Sequence, residues 1–331
     1  MPVWNAVKCG RRKLHCHDLR FYRIHTTSIL SLCHRKLPTL DASLRKQTTI
    51  AQRVSVSGVG FWSGRDISLT FCPAPASTGV VFVRTDLPGK PRIEAVVRNR
   101  VNGPRRTTLV ANGVAVEMVE HVLAALAGLK IDNCEVLVNR AEMPGCDGSS
   151  GAFVDALLRV DVVTLDALRP VIRVQREIVV GEGDSWIKAE PTSQGMDLEY
   201  QLSYECPAIG SQVYRLMVNP LTFQNQIADA RTFVLRHEAD QLQKQGLGKH
   251  VTYQDIIVFD DHGPIDNPLR YSDECARHKI LDMVGDFSLA GADLIGKFTA
   301  SRSGHRLNSQ MVFALLQQIV EHKPKPIRIS A

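Results

Sequence analysis

The chain has 331 residues, 44% of them apolar and 22% charged, the balance of a globular body long enough for two ordinary domains. Its formal net charge of +6 resolves into a basic head, residues 1–46, with ten Lys or Arg and only Asp18 and Asp41 as acids, and a remainder holding 30 basic against 32 acidic residues. A near-neutral body without aromatic–basic interleaving excludes a nucleic-acid partner. No apolar run reaches the roughly eighteen residues a membrane span needs, which leaves only transient contact with a membrane surface open.

Residues 1–46 are Arg-rich, acid-poor and without a compact apolar stretch. They read as a disordered extension, with a transit-like segment or a start assigned upstream as alternatives. The choice governs location: the bacterial cytoplasm is expected, with organelle import by the head left open. Three of the eight cysteines (Cys9, Cys16, Cys33) fall in the head, and no CxxC pair occurs, as suits a reducing compartment.

From residue 47 the chain is patterned. Residues 49–56 and 67–71 alternate as strands around a Gly-rich turn, Ser57-Gly58-Val59-Gly60, with a second turn at Ser63-Gly64. Strands follow at 79–84 and 93–97, a helix at 116–129 ending at Gly128, a strand at 134–138 and a short helix at 150–158. A composition break at 166–170 closes a first domain, 47–168. The second, 169–322, starts with strands at 171–180, 186–190, 198–204 and 213–218, after which Asn219-Pro220 supplies an N-cap and N1 pair. A helix near 237–245, a strand at 256–259, a helix capped by Ser272, a strand at 294–301 and a helix from 307 to 321 precede a tail at 323–331. Strands first and helices later, twice over, predict an α+β fold of two similar domains. Identity between the halves is too low to read a repeat.

The helix through Arg277-His278-Lys279-Ile280-Leu281-Asp282-Met283-Val284-Gly285-Asp286 sets His278, Asp282 and Asp286 on one line at i, i+4 spacing. An imidazole and a carboxylate so placed reach one divalent ion; a solvated helix face explains the spacing equally well. Glu120-His121 offers a third ligand and a neighbouring base, or is an ordinary surface dipeptide. His305, in the loop Arg302-Ser303-Gly304-His305, suits a general acid or merely the start of a helix. Thr232 offers a hydroxyl to an oxyanion or sits in a turn.

Five ordered motifs decide among these readings. They are Val119-Glu120-His121-(x)3-Ala125-Leu126-Ala127-Gly128-(x)2-Ile131-Asp132-Asn133, Asp147-Gly148-Ser149, Ala230-Arg231-Thr232-Phe233, Arg277-His278-Lys279-(x)2-Asp282-(x)2-Gly285-Asp286 and Ser303-Gly304-His305-(x)2-Asn308. In order and spacing, across residues 47–321, the chain resembles the UDP-3-O-acyl-N-acetylglucosamine deacetylases, zinc amidases that commit bacteria to lipid A synthesis. The resemblance implies two domains, each of two helices packed on a mainly antiparallel sheet, with the active site between them. It implies zinc held by His121, His278 and Asp282, Glu120 as general base, and His305 as general acid assisted by Asp286. Thr232 corresponds to the residue stabilising the oxyanion, and Lys279 to a substrate-contacting lysine. Phe233 falls at the acyl-chain entrance, Tyr204 where an aromatic stacks on the uracil, and Arg302 opposite the pyrophosphate. The implied substrate is UDP-3-O-acyl-N-acetylglucosamine; a related metal-dependent amidase acting on another acyl-amino sugar is the alternative. Oligomeric state is not legible.

Three positions depart from the family pattern. His250-Val251-Thr252 replaces a common Gly-Gly-Ser turn, Trp62 stands where a histidine is common, and Ser185 replaces a basic residue. None belongs to the implied metal centre.

Overall fold

Two halves of the chain build the same sheet. The computed structural model describes residues 45–321; the tail and all of the basic head except Arg45 and Lys46 lie outside the described residues. In the first half, Val54–Val59, Asp66–Pro73, Cys134–Val138, Val80–Arg84 and Arg92–Glu94 lie side by side in that order. In the second, the order is Ile178–Glu182, Ser185–Glu190, Asp293–Ser301, Met196–Ser203 and Ser211–Val218. Each half inserts its last strand between its second and third, antiparallel to one neighbour and parallel to the other. Val171–Arg173 adds a sixth, parallel partner to the second inserted strand.

Six helices occur among the described residues: α1 (Glu120–Gly128), α2 (Gly151–Leu157), α3 (Pro220–Gln226), α4 (Arg236–Lys244), α5 (Glu274–Phe287) and α6 (His305–Glu321). α1 and α2 bracket the inserted strand of the first half, as α5 and α6 bracket that of the second. The architecture is α+β, and the shared strand order reveals the repeat that side-chain identity conceals. None of these helices is long and apolar enough to cross a membrane.

α1 and α5 pack backbone against backbone. A Cβ added to Gly285 would stand 2.1 Å from the Glu120 carbonyl oxygen, so only glycine permits this approach. Both helices are buried over most of their length, with Val122, Leu123, Ile280, Leu281 and Val284 among the core side chains.

Several local expectations shift. The helix expected over 116–129 begins at Glu120, because Val114–Glu117 is a strand paired with Thr108–Ala111. Asn112 and Gly113 turn that hairpin with φ of 51° and 77°, the backbone twist a two-residue hairpin needs. Met118, at φ 60°, separates strand from helix. The Gly-rich 57–60 stretch is mostly strand, the turn falling after Val59. The expected 49–56 strand is two strands; Lys46–Ile50 pairs with Val162–Leu168, which sequence periodicity did not reveal. Ser272 does not cap α5: Asp273 takes the N-cap position and spends its carboxylate on Arg277. Asn219-Pro220 does start α3, with the Asn219 side chain accepting from Leu221 and Thr222 N–H.

A charge cluster joins the approaches to both inserted strands. Arg45 bridges Asp132, just before Cys134–Val138, and Asp293, at the start of Asp293–Ser301, at 2.6 and 2.7 Å. Arg169 and Lys130 add further positive charge. Burial pushes the Asp293 carboxyl up, but the Arg45 hydrogen bond and the nearby cations outweigh it, so its pKa ends below the ordinary 3.8. A depressed carboxylate contributes stability that is complete above its unfolded pKa and lost as pH falls through its folded one.

Two outcomes are expected. Gly285→Ala destabilises by about 1–3 kcal/mol through overpacking, read from urea unfolding. Asp293→Asn lowers stability at neutral pH and flattens the loss of stability below about pH 4, read from the same unfolding repeated across pH.

Candidate active site

The α1–α5 contact sets the first turn of α1 against the middle of α5. His121 and His278 meet edge to face with ring centroids 5.1 Å apart. The nearer Asp282 oxygen lies 3.7 Å from His121 Nε2 and 3.5 Å from His278 Nε2. These three residues each offer one ligand atom, all within 4.8 Å of one another. The i, i+4 line of α5 is no solvated face: His278, Asp282 and Asp286 are 2%, 3% and 1% exposed.

His278 and Asp282 each have partners that fix their state. His278 Nδ1–H donates to the Ala230 carbonyl at 3.0 Å, since a carbonyl can only accept, and this turns Nε2 inward. Burial drives the His278 imidazole down to about 3, so Nε2 keeps a lone pair, to which the Thr232 hydroxyl donates at 2.8 Å. Burial alone would raise Asp282, but the Lys279 ammonium beside it outweighs burial and its carboxyl lies well below the usual carboxylate range. Lys279 donates to its far oxygen at 3.0 Å and is itself raised, Asp282 and the phenols of Tyr200 and Tyr204 outweighing desolvation.

Beside the triad stands a histidine–carboxylate pair, His305 and Glu120. His305, opening α6, donates from Nδ1 to Asp286 Oδ2 at 2.8 Å. Burial would neutralise this imidazole, but Asp286 outweighs it and raises its pKa to about 10. His305 Nε2 faces Glu120 Oε1 at 3.9 Å. Burial also raises the Glu120 carboxyl, against the opposing pull of His305 and His121. A cation and a carboxyl with raised pKa facing each other over one space can give and take protons within it.

Tyr204, Lys279 and Arg302 line a cleft of ≈ 940 Å³. The Phe233 ring lies edge-on to Tyr204 at 5.5 Å and to His278 at 6.5 Å, linking that cleft to the triad. Arg302 is a half-exposed guanidinium 3.9 Å from Asp184. The structure thus brings the metal-ligand and proton-transfer candidates together, and Tyr204 and Arg302 join them through the cleft.

Sequence reasoning missed the supports. Thr107, in no motif, donates its backbone N–H to Glu120 and its hydroxyl to Asp286. Arg231 is buried with Glu274 at 2.8 Å, holding the Ala230–Thr232 turn whose carbonyl and hydroxyl both reach His278. Tyr200 donates to the Ser303 carbonyl at 2.7 Å ahead of His305. Such pairs, far apart in the chain, leave no periodic trace. The departing positions also have contacts: His250 bonds the Gly60 carbonyl at 2.8 Å, the Arg106 guanidinium lies 4.9 Å over the Trp62 ring, and the Ser185 hydroxyl donates to the Arg302 carbonyl at 2.9 Å.

The chain is also similar to known proteins over most of its length. The family model described as UDP-3-O-acyl N-acetylglycosamine deacetylase matches residues 47–317. The chain is 39% identical over 276 residues to the UDP-3-O-acyl-N-acetylglucosamine deacetylase of Pasteurella multocida, covering 82% of this chain and 90% of that one. It is 39% identical over 272 residues to the protein of the same name from Brucella melitensis biotype 2, covering 82% and 95%. A third, from an Anaeromyxobacter species, is 39% identical over 274 residues, covering 82% and 88%.

Arg231→Met is expected to cost about 3–5 kcal/mol in urea unfolding, because it leaves Glu274 charged and uncompensated in the core.

Proposed function

Because the chain belongs to the UDP-3-O-acyl N-acetylglycosamine deacetylase family, we propose that it hydrolyses the acetamide of UDP-3-O-acyl-N-acetylglucosamine. The products are acetate and UDP-3-O-acyl-glucosamine, an intermediate on the way to lipid A, and zinc is the cofactor. Support comes above all from one arrangement: a buried His121–His278–Asp282 triad beside the Glu120–His305 pair.

The donor chemistry fits zinc. Two imidazoles and a carboxylate are a zinc-type set that leaves a fourth position open. His278 has its outer nitrogen committed to a backbone carbonyl, the support expected of a metal-ligating imidazole. Bound there, the ion would polarise an amide carbonyl and bring the pKa of water to about 7.

The remaining work falls to the chain itself. Glu120, held on one oxygen by the Thr107 N–H, takes a proton from the attacking water with the other. The Thr232 hydroxyl, which here donates to His278 Nε2, is placed to donate to the oxyanion once that lone pair is engaged. His305 enters the reaction protonated because Asp286 keeps it so, and hands its Nε2 proton to the departing sugar nitrogen as the C–N bond breaks. Lys279 and Arg302 supply positive charge in the cleft for the diphosphate, Tyr204 an aromatic face for the uracil, and Phe233 an apolar edge for the acyl chain. The reading carries with it a cytoplasmic reaction.

A second reading, an amidase for another acyl-amino sugar, draws on the 250–252 loop. The His250 ring lies against Gly64 and bonds the Gly60 carbonyl, adding a contact between this loop and the first half. Turnover measured across acyl-chain lengths and amino sugars separates the two readings.

Purified protein is expected to carry about one zinc per chain, by metal analysis, and to release acetate from the UDP-sugar. His278→Ala loses both. Glu120→Gln keeps its zinc while kcat falls about 10²–10⁴-fold. Fully zinc-loaded protein that leaves UDP-3-O-acyl-N-acetylglucosamine intact would overturn the reading.

A further inference from the structure

Thr107 is fully buried between the two arms of the histidine–carboxylate pair. Its backbone N–H donates to Glu120 Oε2 at 2.9 Å and its hydroxyl to Asp286 Oδ1 at 2.6 Å. Glu120 belongs to the first half of the molecule and Asp286 to the second. The other Asp286 oxygen receives His305 Nδ1–H and Asn308 Nδ2–H, each at 2.8 Å. Among the described residues, the Thr107 hydroxyl is the one hydrogen-bond donor to Oδ1. Without it the carboxylate still receives His305 and Asn308 on Oδ2 but loses the contact on Oδ1 that fixes its plane, which loosens the orientation of His305.

We propose that Thr107 is a positioning residue that sets the separation of proton acceptor and proton donor, holding Glu120 with its main chain and His305, through Asp286, with its hydroxyl. Glu120 and His305 face each other at 3.9 Å without a direct hydrogen bond, so their spacing must come from elsewhere. Thr107 is bonded to both sides. Its loop is anchored in turn: Arg105 pairs with Glu238 of α4 at 2.7 Å, and Arg106 pairs with Glu117 at 3.0 Å. The residue therefore sits on a fixed mount rather than a free strand end.

The kinetic part of the test rests on the deacetylase reading; the spectroscopic part does not. Thr107→Val keeps the volume and the main-chain N–H but removes the hydroxyl. On UDP-3-O-acyl-N-acetylglucosamine its kcat should fall about tenfold to a hundredfold, the effect of losing a hydrogen bond to a charged group, with KM changed less than about twofold. Thr107→Ser should restore kcat to within about threefold of the natural protein, since it restores the donor. In an Asp286→Ala background, Thr107→Val should change kcat by less than about twofold, because the acceptor is already gone.

Independently of any substrate, the downfield proton resonance of the His305 Nδ1–H···Asp286 bond, followed by NMR on the full chain, should shift or broaden in Thr107→Val and return in Thr107→Ser. If Thr107→Val does not fold, Thr107→Cys, a weaker donor in the same place, should give intermediate values in both measurements. The proposal is overturned if turnover and the resonance survive Thr107→Val, if Thr107→Ser is as damaged as Thr107→Val, or if the Val and Asp286→Ala effects simply add. Natural protein inert toward the UDP-sugar would sink the deacetylase reading, while the resonance alone would still decide the role of Thr107.

Discussion

The contact between Gly285 and the Glu120 carbonyl governs this molecule. A helix pair normally keeps its axes 8–10 Å apart because side chains fill the space between. Here one glycine removes that spacer where α1 and α5 cross, and a Cβ would stand 2.1 Å from the opposing oxygen. The approach carries Glu120 and His121 into reach of His278, Asp282 and Asp286. Loosened by the width of a methyl group, the two histidines and Asp282 would no longer offer atoms to a common point.

That closeness creates an electrostatic problem which the surroundings solve. Five ionisable side chains (Glu120, His121, His278, Asp282, Asp286) are nearly inaccessible to solvent. Unpaired charges in such a place are expensive. The chain answers with specific partners: Lys279 for Asp282, His305 and Asn308 for Asp286, a main-chain carbonyl for His278, a main-chain N–H for Glu120. The same partners set protonation states, neutral at His278 and cationic at His305, so stability and reactivity draw on one network.

The site also has a symmetry that its chemistry does not share. α1 and α5 hold equivalent places in the two repeats, each leading into the inserted strand of its own sheet. The first repeat contributes the Glu120 carboxylate and one imidazole; the second contributes an imidazole, a carboxylate and His305 with its support. Arg45, bridging the approaches to both inserted strands, ties the repeats together at a second point. Thr107 reaches across the seam from the first repeat to the second.

Much of this was legible in the chain. Helical geometry alone puts His278, Asp282 and Asp286 on one line, and Asn219-Pro220 announces a helix start, because both are decided by neighbours within a turn. The Asn112-Gly113 hairpin was equally local, but it was assigned no element, and the end of its second strand was read as the start of α1. Ordered motifs identified the residues that gather at the site. Tertiary structure alone decided that the α5 line is buried rather than solvated, that Thr107 and Arg231 support the centre, and that the halves share one strand order. Burial and long-range hydrogen bonds depend on which segments pack together, and here that was settled by the close crossing of two helices whose facing residues, Glu120 and Gly285, are far apart in the sequence.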